Sequence, residues 1–201
     1  MAGLCAAGLS KYNLSGAQVT LPDTAGRARI LVPGQVEDDA SIRLGAGTVQ
    51  TNLGLLTAAA QANPGARIIY KPHPDVEAGL RPGVVAEARQ IADVIAENAD
   101  PLALIAACDE VWTMTSLLGF EALMRGKPVV CLGAPFYAGW GLTRDLGPVP
   151  DRRRRAADGH PLPRPDLVHL VHAALIGYPR YFDPVSRLPC PAEVVLDRLQ
   201  S

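Results

Sequence analysis

Short apolar runs alternate with stretches of helical periodicity along most of this 201-residue chain. The runs predict strands over residues 29–33, 66–70, 91–96, 109–114 and 128–132. The stretches between them predict helices over residues 51–62, 84–88, 101–107 and 116–125. Strands that alternate with helices in one sheet pair in parallel, and the connecting helices cover its faces. The alternation therefore predicts an α/β protein built on a parallel sheet.

Residues that favour helix ends mark several of these segments. Thr51 and Asp100 are predicted N-caps, because their short side chains can accept from the unpaired N–H groups of a first helical turn. Pro101 suits the first turn, where its missing N–H leaves no bond unmade. Gly126 is predicted to end the helix over 116–125.

The chain is expected to divide into three regions. Residues 1–28 form a lead-in segment, residues 29–150 hold the strand–helix repeats, and residues 151–201 form a carboxyl-terminal helical extension. The extension is predicted to contain helices over about 166–177 and 191–199, and no second sheet is expected.

Composition excludes several classes of protein. The formal net charge is −1, so no general attraction to nucleic acid is expected. No apolar run approaches the roughly 18 residues of a membrane span, and the first residues lack the basic start of a signal peptide. The 4 cysteines show no paired spacing, which favours a reducing compartment and a cytoplasmic protein with buried thiols at Cys108 and Cys131.

Polar motifs follow three of the predicted strands directly. They are Gln35–Ser41 (QVEDDAS), Lys71–Pro74 (KPHP) and Met114–Glu121 (MTSLLGFE). Ligands of parallel sheets bind in the crevice at the carboxyl ends of the strands. The three motifs are therefore predicted to share one rim.

The first motif lies in a long loop that contains the consecutive acids Glu37, Asp38 and Asp39. Neighbouring carboxylates repel each other unless one is protonated, paired or facing a cation. Either the loop is a solvated acidic turn with Asp39 or Ser41 as a cap, or one carboxylate acts as nucleophile or general base. The ligand spacing of a calcium loop is absent.

The second motif holds His73 between prolines, which stiffen the backbone just past a strand. Lys71 and His73 could bind a phosphate or stabilise a leaving one. The alternative is a rigid turn with an incidental histidine. Asp75 and Glu77 could pair with either cation.

The third motif places Thr115 and Ser116 at a helix start, where unpaired N–H groups and a positive dipole end attract anions. Ordinary N-capping is the alternative. Glu121 could reach a ribose hydroxyl or face solvent.

Weaker candidates lie towards the carboxyl end. His169 and His172 have a spacing compatible with a metal, but no carboxylate partner is evident, and a surface or core role is favoured. The arginine run 152–155 suggests a solvated segment, with an anionic membrane surface as a minor alternative. Tyr137 and Trp140 could line a sugar or base pocket or anchor their loop. A phosphate-binding P-loop, a dinucleotide-binding glycine motif and a hydrolase nucleophile elbow are all absent.

The same motifs, together with Pro135–Gly141 (PFYAGWG) and Tyr178–Tyr181 (YPRY), resemble bacterial capsule polysaccharide biosynthesis proteins of the KpsC/KpsS type. These are retaining β-Kdo glycosyltransferases that use CMP-Kdo. The resemblance covers nearly the whole chain from about residue 8. It implies a Rossmann-like parallel sheet with helices on both faces, corresponding to the donor-binding, carboxyl-terminal half of a GT-B-like enzyme in capsular polysaccharide biosynthesis and transport.

The resemblance also implies roles for individual residues. The Gln-x-x-x-Asp motif of the family falls on Gln35 and Asp39, with Asp39 as the candidate nucleophile of a double displacement. Its His-Pro motif falls on His73, at the donor phosphate. The implied donor-binding residues are Lys71, Thr115, Ser116, Glu121 and Ser41. No metal or other cofactor is expected, because such enzymes stabilise the leaving phosphate with protein donors.

The implied partners are a nucleotide sugar, a lipid or glycolipid acceptor and an amino-terminal half or partner chain, with peripheral contact at the inner membrane as a further expectation. The chain departs from the family in length, since only about 28 residues precede the first predicted strand. The alternatives are an inactive module that binds CMP or a nucleotide sugar, another GT-B-type transferase or epimerase, and a structural partner for another chain.

Overall fold

Six parallel strands form the central sheet of the computed structural model, which describes Cys5, Gly8, Leu21 and residues 26–200. The strands are β1 (Arg29–Pro33), β2 (Arg67–Lys71), β3 (Val94–Ile95), β4 (Glu110–Thr113), β5 (Val129–Cys131) and β6 (Arg144–Asp145). Their order is β3-β2-β1-β4-β5-β6, and Leu31 of β1 lies opposite Ile69 on one side and Val111 on the other. The predicted α/β fold with a parallel sheet is confirmed. Most of the expected lead-in, residues 1–28, lies outside the described residues.

Helices connect the strands and continue beyond them. They are α1 (Ala40–Gly45), α2 (Asn52–Ala62), α3 (Pro74–Glu77), α4 (Ala88–Ile91), α5 (Pro101–Ala107), α6 (Leu117–Met124), α7 (Leu167–His172) and α8 (Ala192–Gln200). The caps at Thr51 and Asp100 are confirmed, because their side chains accept from the N–H groups of Gly54 and Leu102. Helix α1 and strand β6 were not predicted, and the helix expected over 84–88 lies later, at Ala88–Ile91.

Both faces of the sheet are buried. Alternate strand residues point to opposite faces, so Leu31 and Val111 pack with Ile105 and Phe120 on one side. On the other side the buried residues are Ile30, Val32, Ile68, Trp112 and Val130 of the strands with Ile42, Leu55 and Leu56 of helices α1 and α2. Helices therefore cover the sheet on both faces, as predicted. The polar loops lie at the carboxyl ends of the strands.

The carboxyl-terminal extension contains more than helices. After α7 come a π-helix (Ala173–Gly177), strands β7 (Tyr181–Asp183) and β8 (Leu188–Cys190), and helix α8. Strands β7 and β8 pair antiparallel, so the expectation of no second sheet was wrong. Strands this short give no detectable alternation in the sequence. Their turn is held by Asp183, whose carboxylate accepts from the N–H groups of Val185 and Ser186.

Among the described residues, no helix combines the length and the apolar character that crossing a membrane requires. The division of the chain at residue 150 remains a prediction.

Candidate functional site

A cavity of about 350 Å³ lies at the carboxyl ends of β1, β2 and β4. The chain proceeds from β1 to β2 and β3 on one side and places β4 on the other, so the loops after β1 and β4 diverge and leave a crevice. All the residues predicted for the site line this cavity: Gln35, Asp39, Ser41, Lys71, His73, Thr115, Ser116 and Glu121. The structure thus brings the three motifs together on one rim. The chemical role of each residue remains a prediction.

Gln35 bridges the two diverging loops. Its Nε2 donates to Thr115 Oγ1 (2.8 Å), and its Oε1 accepts from the backbone N–H of Thr115 (2.9 Å) and from Thr113 Oγ1 (3.3 Å). Thr115 Oγ1 in turn donates to Ser41 Oγ (3.3 Å). Because Gln35 is buried and its amide is engaged in this way, its side chain positions the loops around the cavity.

The side chain of Asn52 holds the backbone of Gln35 by hydrogen bonds. This residue was not identified from the sequence. It is fully buried, its Oδ1 accepts from the Gln35 N–H (2.8 Å), and its Nδ2 donates to the carbonyls of Gln35 (2.7 Å) and Gly83 (2.8 Å). Gly83 lies at φ +135°, and an added Cβ would meet Asn52 Nδ2 at 2.7 Å. An asparagine just after an N-cap is the one sequence signal that could have pointed to this role.

The three consecutive acids have three different partners. Glu37 Oε1 accepts from the N–H of Asn52 (2.6 Å) at the start of α2. Asp38 pairs with Arg81 (2.6 Å). Asp39 caps α1, with its carboxylate accepting from the N–H of Ser41 (2.8 Å). This separation relieves the repulsion expected from the sequence, and of the three acids Asp39 is the one that lines the cavity.

Lys71 is a buried cation at the end of β2, with 7% of its surface exposed. Its Nζ donates to the carbonyl of Pro72 (3.3 Å). Burial lowers the pKa of Lys71, and the nearby charge of Glu77 opposes that shift. A lysine in these surroundings gains from an anion that enters the cavity, because the anion would offset the loss of water around the ammonium group.

His73 caps the short helix α3. Its Nδ1 accepts from the backbone N–H of Asp75 (3.2 Å), so the neutral ring carries its proton on Nε2. The Asp75 carboxylate lies 3.8 Å from Nδ1 and would pair with the protonated ring. The backbone hydrogen bond is the shorter contact and favours the neutral tautomer with an Nε2–H donor.

The start of α6 is fixed by its neighbours. Ser116 Oγ accepts from the N–H of Leu118 (3.2 Å), and the N–H of Ser116 donates to Thr113 Oγ1 (3.0 Å). The capping alternative is therefore confirmed for Ser116, and it coexists with a helix start that faces the cavity. Glu121 lines the same cavity and is buried, with 6% exposed, so the alternative that it faces solvent was wrong.

The aromatic loop after β5, residues Pro135–Gly141, packs against the start of α6. The fully buried Tyr137 donates its hydroxyl to the carbonyl of Ser116 and lies where a Cβ on Gly119 would have to be. Trp140 Nε1 donates to the carbonyl of Phe136 (2.8 Å). Neither Tyr137 nor Trp140 lines the cavity, so of the two alternatives the anchoring role is confirmed.

The arginine run contributes a structural residue to the same loop. Arg153 donates to the carbonyls of Pro135 (2.5 Å), Ala138 (2.9 Å) and Ala134 (3.2 Å). Burial lowers its pKa, as does the neighbouring charge of Arg152. Arg153 therefore fixes the backbone of the aromatic loop and is not simply solvated.

His169, Cys108 and Cys131 lie outside the residues that line the cavity. His169 Nδ1 lies 2.7 Å from Asp166 Oδ1, so the expectation that it has no carboxylate partner was wrong. No group of three or more potential metal ligands occurs in the part of the chain that the structure describes. Cys108 and Cys131 are buried free thiols, as predicted, and burial raises their pKa values to about 11 and about 12. Thiols with such pKa values are poor nucleophiles near neutral pH.

The cavity as a whole suits a ligand that carries phosphate. Lys71 and Arg81 supply cationic side chains, and the start of α6 supplies its positive dipole end and the N–H of Leu117. Asp39 and Glu121 supply carboxylates on the same walls. The arrangement can bind an anionic group next to a carboxylate that is positioned for nucleophilic or base chemistry.

Comparisons with known proteins identify the family of this chain. Residues 11–181 match the family model described as Capsule polysaccharide biosynthesis protein. The capsule polysaccharide modification protein LipA of Neisseria meningitidis serogroup A is 50% identical over 187 residues, which cover 92% of this chain and 25% of LipA. The lipopolysaccharide-processing protein LpsZ of Rhizobium meliloti is 45% identical over 188 residues, covering 90% of this chain and 40% of LpsZ.

Two solved structures of Thermosulfurimonas dismutans KpsC share the fold. Its beta Kdo 2,4 transferase superposes with a TM-score of 0.84 at 37% identity, covering 100% of this chain and 60% of that one. Its beta Kdo 2,7 transferase superposes with a TM-score of 0.75 at 41% identity, covering 89% of this chain and 56% of that one. The chain thus spans less than two thirds of these structures and at most two fifths of the curated relatives named above.

Proposed function

This chain belongs to the capsule polysaccharide biosynthesis protein family, and we propose that it is the donor-binding part of a glycosyltransferase that transfers Kdo from CMP-Kdo. One observation carries the proposal: Lys71, His73 and the start of α6 surround the same cavity as Asp39. Phosphate-binding groups and a carboxylate in one cavity are what a nucleotide-sugar transferase requires. The two solved relatives are named as beta Kdo transferases, which supports the choice of sugar.

The phosphate of CMP binds between Lys71 and the start of α6 in this proposal. The ammonium group supplies charge, the N–H of Leu117 and the dipole of α6 add to it, and the hydroxyls of Thr115 and Ser116 turn towards the phosphate as further donors. His73 donates from Nε2 to an oxygen of the same phosphate and stabilises it as it leaves. Glu121 accepts from a ribose hydroxyl. These protein groups stabilise the negative charge of the phosphate, so the proposal includes no metal ion.

Asp39 is the proposed nucleophile of a double displacement. Its carboxylate oxygen attacks the anomeric carbon, and the bond from that carbon to the phosphate oxygen breaks, with the electron pair leaving on CMP. An acceptor hydroxyl then attacks the same carbon, releases its proton to a base and displaces the carboxylate of Asp39. Two inversions give net retention. Gln35, through Thr115 and Ser41, keeps the loop that carries Asp39 in place.

Part of this function is proposed to need residues beyond this chain. The chain covers 56% and 60% of the two solved transferases, so an amino-terminal half or partner chain would supply the acceptor site. The proposed acceptor is a lipid or glycolipid, reached at the inner membrane by peripheral contact from the cytoplasm. The same partial coverage favours one alternative, a CMP-binding module without turnover of its own.

Two substitutions separate binding from chemistry. His73→Ala should weaken CMP binding in calorimetry, because it removes a phosphate donor. Asp39→Asn should keep the cap of α1 and CMP binding while abolishing Kdo transfer in an enzyme reconstituted with an amino-terminal half; Asp39→Ala should abolish transfer as well. Unchanged CMP affinity in His73→Ala would remove its assigned role. CMP binding without Kdo transfer in the reconstituted wild type would favour the binding module.

A further inference from the structure

Arg81 is a cation that lines the cavity, and the phosphate contacts proposed above do not use it. It lies in the loop after α3, where its N–H donates to the carbonyl of Asp75 (3.2 Å). Its guanidinium donates twice to one oxygen of Asp38, from Nε (3.2 Å) and Nη2 (2.6 Å). Among the residues that line the cavity, Lys71 and Arg81 are the lysine and arginine side chains.

The ion pair between Arg81 and Asp38 contributes little to the stability of the fold. The two side chains are 41% and 55% exposed, and ion pairs as exposed as this contribute little to folding. Both hydrogen bonds end on one carboxylate oxygen, whereas a guanidinium carries five N–H donors in a planar fork. Arg81 can therefore take a second carboxylate without losing all contact with Asp38.

Three aspartates influence the pKa of Arg81. Its hydrogen bond to Asp38 raises its pKa, and the charges of Asp38, Asp39 and Asp75 act in the same direction. Arg81 lines the same cavity as the proposed nucleophile and is partly exposed, whereas Lys71 is buried at the end of β2.

The chemistry of the donor creates a need for such a cation. In a 2-keto sugar acid the carboxylate is bonded to the anomeric carbon, which is the atom that a nucleophile must reach. An attack by Asp39 therefore brings a second carboxylate close to its own. Like charges at this distance oppose each other unless a cation lies between them.

We propose that Arg81 binds the carboxylate of the donor's sugar acid and makes the cavity selective for acid sugars over neutral ones. The proposal rests on the donor site proposed above. The planar fork of arginine matches a carboxylate with two parallel hydrogen bonds, which the ammonium of Lys71 cannot provide. Asp38 orients the guanidinium towards the cavity and gives up part of its pairing when the ligand carboxylate enters.

The test compares two ligands that differ by the sugar acid. Affinities of the full chain for CMP and for freshly made CMP-Kdo are measured by microscale thermophoresis. Arg81→Gln should lose roughly tenfold or more in affinity for CMP-Kdo, as expected for a charged hydrogen-bonded pair, and change the affinity for CMP by less than about twofold. Arg89→Gln, an exposed arginine of α4 outside the cavity, is the matched control and should change neither.

A second variant distinguishes ligand binding from loop support. Asp38→Asn breaks the ion pair but keeps Arg81, so its affinity for CMP-Kdo should stay equal or rise. An equal loss in Asp38→Asn and Arg81→Gln would overturn the proposal, because the pair would then act by holding the loop. Equal losses of affinity for CMP and CMP-Kdo in Arg81→Gln would overturn it in favour of phosphate binding. Unchanged affinity for both ligands would overturn it as well, because Arg81 would then contact neither. A wild-type chain that binds neither ligand would overturn the proposed donor site itself.

Discussion

Gln35 and Thr115 exchange two hydrogen bonds between the loops that follow β1 and β4, from Gln35 Nε2 to Thr115 Oγ1 (2.8 Å) and from the Thr115 N–H to Gln35 Oε1 (2.9 Å). The two residues are 80 positions apart in the chain. Their contact fixes the spacing between the loop that carries Asp39 and the start of α6. The geometry of the cavity therefore depends on a side-chain amide that need not touch a ligand.

Replacing Gln35 with leucine should destabilise the fold. The N–H of Thr115 and the hydroxyl of Thr113 would lose their acceptor inside a buried site, and each unmet group costs about 1–3 kcal/mol. We expect the free energy of unfolding in urea to fall by about 2 kcal/mol or more. Ser41→Ala is the control, since it removes one 3.3 Å contact at an exposed hydroxyl and should cost less than about 0.5 kcal/mol. Equal stability of Gln35→Leu and the wild type would show that the bridge is not structural.

Gly119 and Tyr137 should behave as a coupled pair. Gly119→Ala places a methyl group against the Tyr137 hydroxyl and should cost about 1–3 kcal/mol through overpacking. Tyr137→Phe removes the hydroxyl that donates to the Ser116 carbonyl and should cost about 1 kcal/mol. In the double variant the methyl group meets no hydroxyl, so the combined loss should be smaller than the sum. A double-mutant cycle by urea unfolding measures this coupling, and additive losses would contradict the contact.

Lys71 should make CMP binding sensitive to alkaline pH. Burial lowers its pKa from the ordinary value of 10.5, so the ammonium loses its proton at a lower pH than an exposed lysine does. The neutral amine cannot pair with phosphate, and CMP affinity should therefore fall as pH rises through that lowered pKa. Calorimetry from pH 7.5 upward should show this decline in the wild type.

Lys71→Met supplies the matched comparison. Its CMP affinity should already be weak at pH 7.5, by roughly tenfold, and should not change as pH rises. Its stability should equal or exceed that of the wild type, because a buried ammonium, whose charged form burial disfavours, is replaced by an apolar chain of similar length. A pH decline of the same size in both proteins would assign the titration to another group.

The succession of strands β1 to β5 along the chain and the location of the cavity were predictable from sequence because they follow from local signals. Apolar runs, N-caps such as Thr51 and Asp100, and polar motifs directly after strands are read from neighbouring residues. Parallel topology then places the ends of the strands at one edge without knowledge of any contact. This is why every residue predicted for the site lines the cavity.

The supporting contacts were not predictable because they join distant parts of the chain. Asp38 and Arg81 are 43 positions apart, and Asn52 meets Gly83 across 31 positions. Nothing near Gly119 in the sequence indicates the hydroxyl of Tyr137. Helix α1 has Ile42 as its buried residue, and β7 and β8 have three residues each, so neither gives a periodic signal. Such features depend on packing that only the folded chain defines.

The hairpin and last helix should lose a stabilising contact in acid. The Asp183 carboxylate accepts from Arg198 Nε (3.2 Å) and Nη2 (3.4 Å) as well as from two backbone N–H groups of its turn. The hydrogen bonds from Arg198 and Ser186 lower the pKa of Asp183 well below its ordinary value of 3.8. A depressed pKa means that the folded chain favours the carboxylate. The stabilisation is therefore complete above the unfolded pKa and is lost as pH falls below about 4 towards the folded value.

Asp183→Asn isolates this contribution. Hydrogen exchange of the amides in residues 181–198 should be faster in Asp183→Asn than in the wild type near neutral pH, after correction for intrinsic rates. The difference should shrink as pH falls below about 4, because the opened or unfolded chain then binds a proton at Asp183 that the folded carboxylate resists. Asp197→Asn changes an exposed acid of the same helix and serves as the control, with protection expected to match the wild type throughout. A difference between Asp183→Asn and the wild type that persists unchanged at the lowest pH would show that the contact does not depend on the charge of Asp183.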